Sequence, residues 1–266
     1  MSAFKFACCL IQFGGEEKGN LHKVLREVAE AGWDGVEGLR VSSADELVHV
    51  AAVARRYGLH WVNMLGQTGL DTVSYNITLG NTTAEIPALS RRDYGGDDPT
   101  ALDYERAARS LDELLGFCTQ HGIKGFHHAH LRTLIETVED AESLLSRAPD
   151  LWLLLDTGHL IAAQSDPMRV FGNELLRKRI GHVHLKDFHA DDPAVWDRRT
   201  QEFGETARFA ELGQGNAGLR VASVLESLQR VGYDGWVSVE LDRPYPPKPA
   251  AEAAVANRKY LASLGY

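Results

Sequence analysis

Several strand-like apolar runs in this chain end in residues that can bind a cation or move a proton. Leu151 to Leu155 runs into Asp156, with His159 three positions on, in the octet LLLDTGHL (Leu153–Leu160). IGHVHL (Ile180–Leu185) runs into Lys186 and Asp187, and its His182 and His184, two apart, share one face of a strand. WVSVEL (Trp236–Leu241) carries Glu240 at its end, and IKGFHH (Ile123–His128) ends in His128 with His130 just beyond. A carboxylate closing a strand buried on both faces is costly unless it binds something. In a parallel barrel that end is also where chemistry is done. One histidine at a strand end is more often a hydrogen-bonded surface residue than a ligand. Several histidines with two carboxylates at equivalent ends point instead to a divalent ion. The mixed imidazole and carboxylate set suits Mn²⁺, Co²⁺ or Zn²⁺, with open positions for substrate oxygens, whereas Mg²⁺ alone prefers oxygen ligands.

The elements that must hold these residues alternate. Phe4 to Phe13 reads as a first strand, and Asn20 to Ala31 as an amphipathic helix with Leu21, Val24, Leu25 and Val28 on one face, stopped by Gly32. Val36 to Leu39 is a short strand. Its Glu37 is expected to form a salt bridge with Arg40 or a neighbour rather than to serve the site. Ser43 to Glu46 caps a helix that runs to Tyr57 and Gly58, and Leu59 to Leu65 is a third strand. From Gly66 to Pro99 the rhythm breaks. Only Val73 to Leu79 looks strand-like, so this stretch is expected to be a long insert over the barrel mouth. Helices are then predicted over about residues 100–121, 137–147, 168–177, 219–231 and 250–264, with a second long loop from Phe188 to Gly218. Alternating strands and helices imply right-handed crossovers and a parallel sheet. No linker or internal repeat divides the 266 residues, so one (β/α)8 TIM-barrel domain over 1–266 is expected, with an open doubly wound sheet as the alternative.

Composition narrows the function classes. The net charge of −9 and the lack of a Lys/Arg-rich run disfavour nucleic acid as a partner. No apolar run reaches the length of a membrane span, and the start of the chain has no basic region of a signal peptide, so a soluble, cytoplasmic protein is expected. Cys8, Cys9 and Cys118 are too few, and odd in number, for a disulfide framework, and are read as packing thiols. No dinucleotide or P-loop fingerprint is present; Gly213-Gln214-Gly215 is only a turn. Trp196, in a charged loop, is the one tryptophan placed to close over a bound substrate.

Taken in order, FHHAHLRTLIETVEDAE, LLLDTGHL, HVHLKDF, ELGQGN and GYDGWVSVELD resemble the xylose-isomerase-like TIM barrels. That superfamily includes sugar epimerases, hydroxypyruvate isomerase, inosose dehydratase and endonuclease IV. The resemblance covers most of the chain from Phe4 and is densest from His127 onward. It implies one divalent metal held by Asp156, His184 and Glu240, with His159 touching substrate hydroxyls, and a small sugar or cyclitol as substrate. The epimerases have a glutamate, also one of their two bases, where this chain places His128 as the fourth ligand. With that glutamate replaced, HHAH and the Lys-Asp after HVHL look more like inosose dehydratase. A homo-oligomer is also in keeping with the family, whose barrels often complete their mouths with a neighbour's loop.

The shared chemistry is proton abstraction next to a carbonyl. Glu240 is the expected base, with a pure ligand role as the even alternative. Lys186 steadies developing charge or protonates a leaving group, and His159 and His130 orient hydroxyls. Competing readings are a sugar epimerase or isomerase, a non-catalytic sugar-binding barrel or subunit, and, least favoured by the acidic charge, an endonuclease-IV-like phosphodiesterase.

Overall fold

The computed structural model describes residues 4–266. Its first strand, β1 (Lys5–Cys9), is shorter than the apolar run suggests, because Leu10–Phe13 coils into a 3₁₀ turn closed by left-handed Gly14. Helix α1 (Glu16–Glu30) begins early but is interrupted at Asn20, and the face of Val24, Leu25 and Val28 is buried. Then come β2 (Gly35–Glu37), α2 (Ala44–Arg56) with Ser43 accepting from the Glu46 amide, and β3 (His60–Trp61).

The stretch from Gly66 to Pro99 is not an insert over the mouth. It supplies the next helix–strand pair, α3 (Gly69–Leu79) and β4 (Thr83–Glu85), before a loop with one 3₁₀ turn at Arg91–Asp93. Val73 to Leu79, read as a strand from alternate apolar residues, is the second half of α3. A capping box decides the matter: the Thr68 side chain accepts from the Asp71 amide and the Asp71 carboxylate accepts from Thr68 N–H. Thr72, Val73 and Asn76, on one face of the helix, are the buried residues.

The alternation continues through α4 (Ala101–Gln120), β5 (Lys124–His128), α5 (Val138–Leu145), β6 (Trp152–Asp156), α6 (Thr157–Ala162), the short α7 (Arg169–Gly172) and α8 (Glu174–Arg177), and β7 (Ile180–Leu185). The second expected loop holds an antiparallel hairpin, β8 (Asp187–Ala190) with β9 (Ala207–Ala210). It is followed by α9 (Val221–Arg230), β10 (Trp236–Val239) and α10 (Ala250–Ser263).

Eight parallel strands lie in the order β3-β2-β1-β10-β7-β6-β5-β4, which is chain order around a ring with β1 paired to β10. The open doubly wound alternative therefore falls. Between β3 and β4 the seam is bridged by side-chain amides in place of a ladder. Asn63 Oδ1 accepts from the Glu85 amide at 3.0 Å, Asn81 Nδ2 donates to the Trp61 carbonyl at 3.0 Å, and Asn76 holds both the N–H and C=O of Met64. These amides satisfy strand-edge groups that would otherwise be buried unpaired.

The hairpin forms an arm with its own small core, in which Phe188, Trp196 and Phe209 pack near Ala162. Trp196 is 3% exposed and its indole N–H donates to the Ala162 carbonyl, so it anchors the arm and is not available to cover a sugar ring. Arg198, 2.7 Å from Glu136, ties the same segment to the loop after β5. No helix among the described residues is long and apolar enough to cross a membrane. Cys8, Cys9 and Cys118 are buried and free.

Candidate metal centre

Four strands deliver their C-terminal ends to one point. His128 is the last residue of β5, Asp156 the last of β6, His184 the fifth of β7, and Glu240 directly follows β10. Strand register sets this convergence, since Asp156 pairs with His184 and His184 with Ser238. One ligand atom from each of His128, Asp156, His184 and Glu240 lies within 4.8 Å of the others. His128 Nε2 is 3.1 Å from Asp156 Oδ2, and His184 Nδ1 is 3.6 Å from Asp156 Oδ2 and 2.6 Å from Glu240 Oε2.

The donor set fits a divalent cation, and His184 supplies the test. Its Nε2 donates to Glu37 Oε1 at 3.1 Å, which in a neutral ring leaves the lone pair on Nδ1. That Nδ1 is buried and makes no hydrogen bond of workable geometry, although two carboxylates face it. Only a proton or a metal cation can sit between such groups without repulsion. Burial disfavours charge on the ring, but Glu37 and Glu240 outweigh it and raise the His184 imidazole well above its ordinary value. Burial would likewise raise the Asp156 carboxyl, yet His159, His128 and His184 around it hold it well below the carboxylate range. Glu240 is held down in the same way, by Lys186 and His184 acting against burial.

Beside this cluster stands Lys186, 1% exposed. Its Nζ lies 2.7 Å from Glu240 Oε1, 2.8 Å from Asp242 Oδ1 and 3.3 Å from His159 Nε2, with the Phe209 ring of the arm 3.8 Å away. Burial works against the ammonium, but Glu240, Asp156 and Asp242 raise its pKa above the ordinary lysine value, so it stays charged. His159 is positioned because Asp156 caps α6, its Oδ1 accepting from the His159 amide at 2.8 Å. Burial pushes the His159 ring well below its ordinary value against the pull of Asp156. A neutral ring has one acceptor nitrogen, so it takes either the Leu131 N–H at Nδ1 or a Lys186 proton at Nε2. The His130 ring lies against it, ring centres 3.7 Å apart and planes tilted by 36°, and its Nδ1 donates to the Leu131 carbonyl.

The expected Glu37–Arg40 salt bridge does not form. Glu37 faces the barrel interior, where it accepts from His182, His184, Ser238 and Asn63, while Arg40 donates to the Gly66 carbonyl. His127 points away from the cluster and its Nε2 accepts from the Leu89 amide. Glu85, 3.9 Å from His128, and Asn63, Asp242 and Phe209 reach the site without having been singled out from sequence. A cleft of about 1020 Å³ opens at the opposite end of the barrel around Lys5, His60, Asn81 and Trp236. It meets none of the four candidate ligands, and the C-terminal strand ends, where barrel chemistry sits, carry the titratable cluster instead.

A parallel ring of eight strands with this cluster at its carboxyl end defines a TIM barrel, and residues 25–264 match the family described as xylose isomerase-like TIM barrel. The chain belongs to that family. An inosose dehydratase of Clostridium tetani is 28% identical over 165 residues, 61% of this chain and 55% of the relative, so the chain spans about half that protein's length. An inosose dehydratase of Mesomycoplasma hyopneumoniae is 26% identical, with 91% of this chain and 88% of that one covered. The crystal structure of an IolI protein with a bound zinc atom superposes with a TM-score of 0.69 at 19% identity, covering 98% of each chain.

Proposed function

We propose that this chain is a divalent-metal-dependent enzyme that removes a proton next to the carbonyl of a keto-sugar or keto-cyclitol and expels water, in the manner of an inosose dehydratase. The observation that carries this reading is the buried, unpartnered Nδ1 of His184 among two carboxylates and a second imidazole. The inosose dehydratase relatives and the zinc-bearing structural neighbour support the substrate class and the metal.

His128, Asp156, His184 and Glu240 would hold Mn²⁺, Co²⁺ or Zn²⁺, which when bound supplies Lewis-acid polarisation of the substrate carbonyl. Glu240 takes the α-proton, its carboxylate kept ionised by Lys186 and His184. Lys186, charged and within reach of the same carboxylate, stabilises the negative charge that develops on oxygen and donates to the departing β-hydroxyl. The proton lost from carbon and the hydroxyl that leaves account together for one water. His159 and His130, packed ring against ring and kept neutral by burial, orient the remaining hydroxyls. Isomerisation starts with the same proton removal and differs only in where a proton returns.

The test is α-proton exchange in D₂O, followed by NMR on keto-inositols and ketoses with metal-loaded protein. Expected results are metal-dependent exchange and accumulation of a dehydrated dicarbonyl, both lost in Asp156→Ala/His184→Ala. Exchange with a rearranged ketose would assign an isomerase. No bound metal after incubation with Mn²⁺, Co²⁺ or Zn²⁺ would sink the mechanism.

A further inference from the structure

Beneath the candidate ligands lies a second polar layer that sequence reading passed over. Asn63, 2% exposed in the turn after β3, has φ of 49°, a left-handed conformation uncommon for a residue other than glycine. Every hydrogen-bonding group of its amide side chain is engaged. Nδ2 donates to Glu37 Oε1 at 3.0 Å and to Glu85 Oε2 at 3.1 Å, and Oδ1 accepts from the Glu85 amide at 3.0 Å. The orientation of this amide is fixed by its partners, because ionised carboxylates only accept and a backbone N–H only donates. The two carboxylates it joins stand behind the two candidate histidine ligands. Glu37 Oε1 takes the His184 Nε2 proton at 3.1 Å, and Glu85 Oε1 lies 3.9 Å from His128 Nδ1.

We propose that Asn63 is a positioning residue for the metal centre: its amide clamps Glu37 and Glu85 so that each presents an oxygen to the outer nitrogen of one histidine ligand. A carboxylate on that far nitrogen sets the tautomer and aims the ligand lone pair at the cation. Two carboxylates close together repel, and both N–H groups of one amide offset that repulsion while holding them at a set spacing. The same residue bridges the β3–β4 seam, so barrel closure and ligand orientation share one side chain. The inference rests on the reading that the cluster binds a divalent ion.

The probe is Co²⁺ alone, titrated into chelator-treated full-length protein and followed by visible absorption and calorimetry, for wild type, Asn63→Gly and Asn63→Asp. Glycine adopts the positive φ without strain, so Asn63→Gly removes the amide while sparing the backbone. Wild type is expected to take up one Co²⁺. Asn63→Gly should bind it about 10–100-fold more weakly, with an altered absorption band, as loss of a group that orients a ligand predicts. Asn63→Asp, which sets a third carboxylate against two, should lose more; if it fails to fold, the glycine variant still reports. Co²⁺ affinity in Asn63→Gly within twofold of wild type and an unchanged spectrum, even at a lower melting temperature, would overturn the proposal and leave Asn63 a seam residue. If wild type binds no Co²⁺, the metal reading fails and this inference with it.

Discussion

Replacing Lys186 by methionine tests whether the buried charges of the site are balanced as described. Methionine keeps an unbranched stem against Phe209 and removes only the cation. Glu240, 7% exposed, then loses the ammonium 2.7 Å from its Oε1, and Asp242 loses a partner at 2.8 Å. Breaking a buried ion pair from one side costs about 3–5 kcal/mol. The Asp242 side chain is 40% exposed and adds at most a fraction of about 1 kcal/mol after solvent screening. His184 Nδ1 remains 2.6 Å from Glu240 and offsets part of the charge, which places the expected loss near the lower bound, about 3 kcal/mol at pH 7–8. The pH dependence has a definite sign. Glu240 is held well below its ordinary value in the folded protein, so its contribution is full above the unfolded carboxyl pKa and fades as pH falls through the folded one. In Lys186→Met that depression shrinks, so the two stability curves lie furthest apart near neutrality and converge in acid. Urea unfolding of chelator-treated protein, followed by the fluorescence of its five tryptophans, measures this directly. A difference below about 0.5 kcal/mol at neutral pH, the scatter of ordinary surface substitutions, would refute the buried-pair account. So would a difference independent of pH.

Three further outcomes follow from the same geometry. Because His184 is raised well above its ordinary value, its protonation stabilises the metal-free protein fully below about pH 6.5, and that contribution is lost as pH rises through the folded value. Metal uptake must therefore release close to one proton per ion, seen as a slope when binding enthalpy is plotted against buffer ionisation enthalpy; a flat plot would mean that His184 is not a ligand. Tyr104→Phe removes a hydroxyl that donates to buried Asp140, itself paired with Arg91 at 2.8 Å, and should cost about 1–3 kcal/mol without altering metal affinity; a parallel fall in affinity would show that this network reaches the site. Trp196→Ala should free the β8–β9 arm, giving faster proteolytic cleavage between residues 191 and 206 and a weaker shield over Lys186; unchanged cleavage would mean that Arg198 and Gln164 suffice to hold it.

The ligand-bearing half of the barrel was legible because its strands are buried on both faces and so spell themselves as apolar runs. LLLD stops at Asp156, and IGHVHL and WVSVEL carry His184 and Glu240 one residue before their ends. The other half was less legible: β1, β2 and β3 register in the sequence as strands longer than they are, whereas β4, three residues long, is too short for any period to register. Val73, Tyr75, Ile77 and Leu79 alternate as a strand would, but the capping box at Thr68 and Asp71 commits the segment to a helix, and tertiary burial then selects Thr72, Val73 and Asn76. With β4 hidden, Glu85 could not be recognised as a strand-end carboxylate. Phe209 reaches Lys186 only through a hairpin, and Asp242 only through the bend after β10. Both contacts depend on tertiary placement that no local pattern encodes.

Glu37 shows most clearly how a strand can be read and its side chain still misassigned. On sequence it is an acidic residue near an arginine, and the surface salt bridge is the economical assignment. Inside the ring its strand partners are β1 and β3, and the pleat turns its side chain toward the axis, where His182, His184, Ser238 and Asn63 all donate to it. A carboxylate 2% exposed would be prohibitive unpaired, but one that accepts from four side chains is satisfied. Burial opposes its ionisation, and His182 and His184 outweigh burial and keep its pKa well below the usual range. The barrel axis is thus polar where a packed apolar filling is the rule for this fold. Such a layer contributes little to stability compared with hydrophobic side chains of the same volume. What it does provide is orientation: the outer nitrogen of His184 is held by Glu37 at 3.1 Å, which aims its lone pair at the candidate metal, and that of His128 is faced by Glu85 at 3.9 Å.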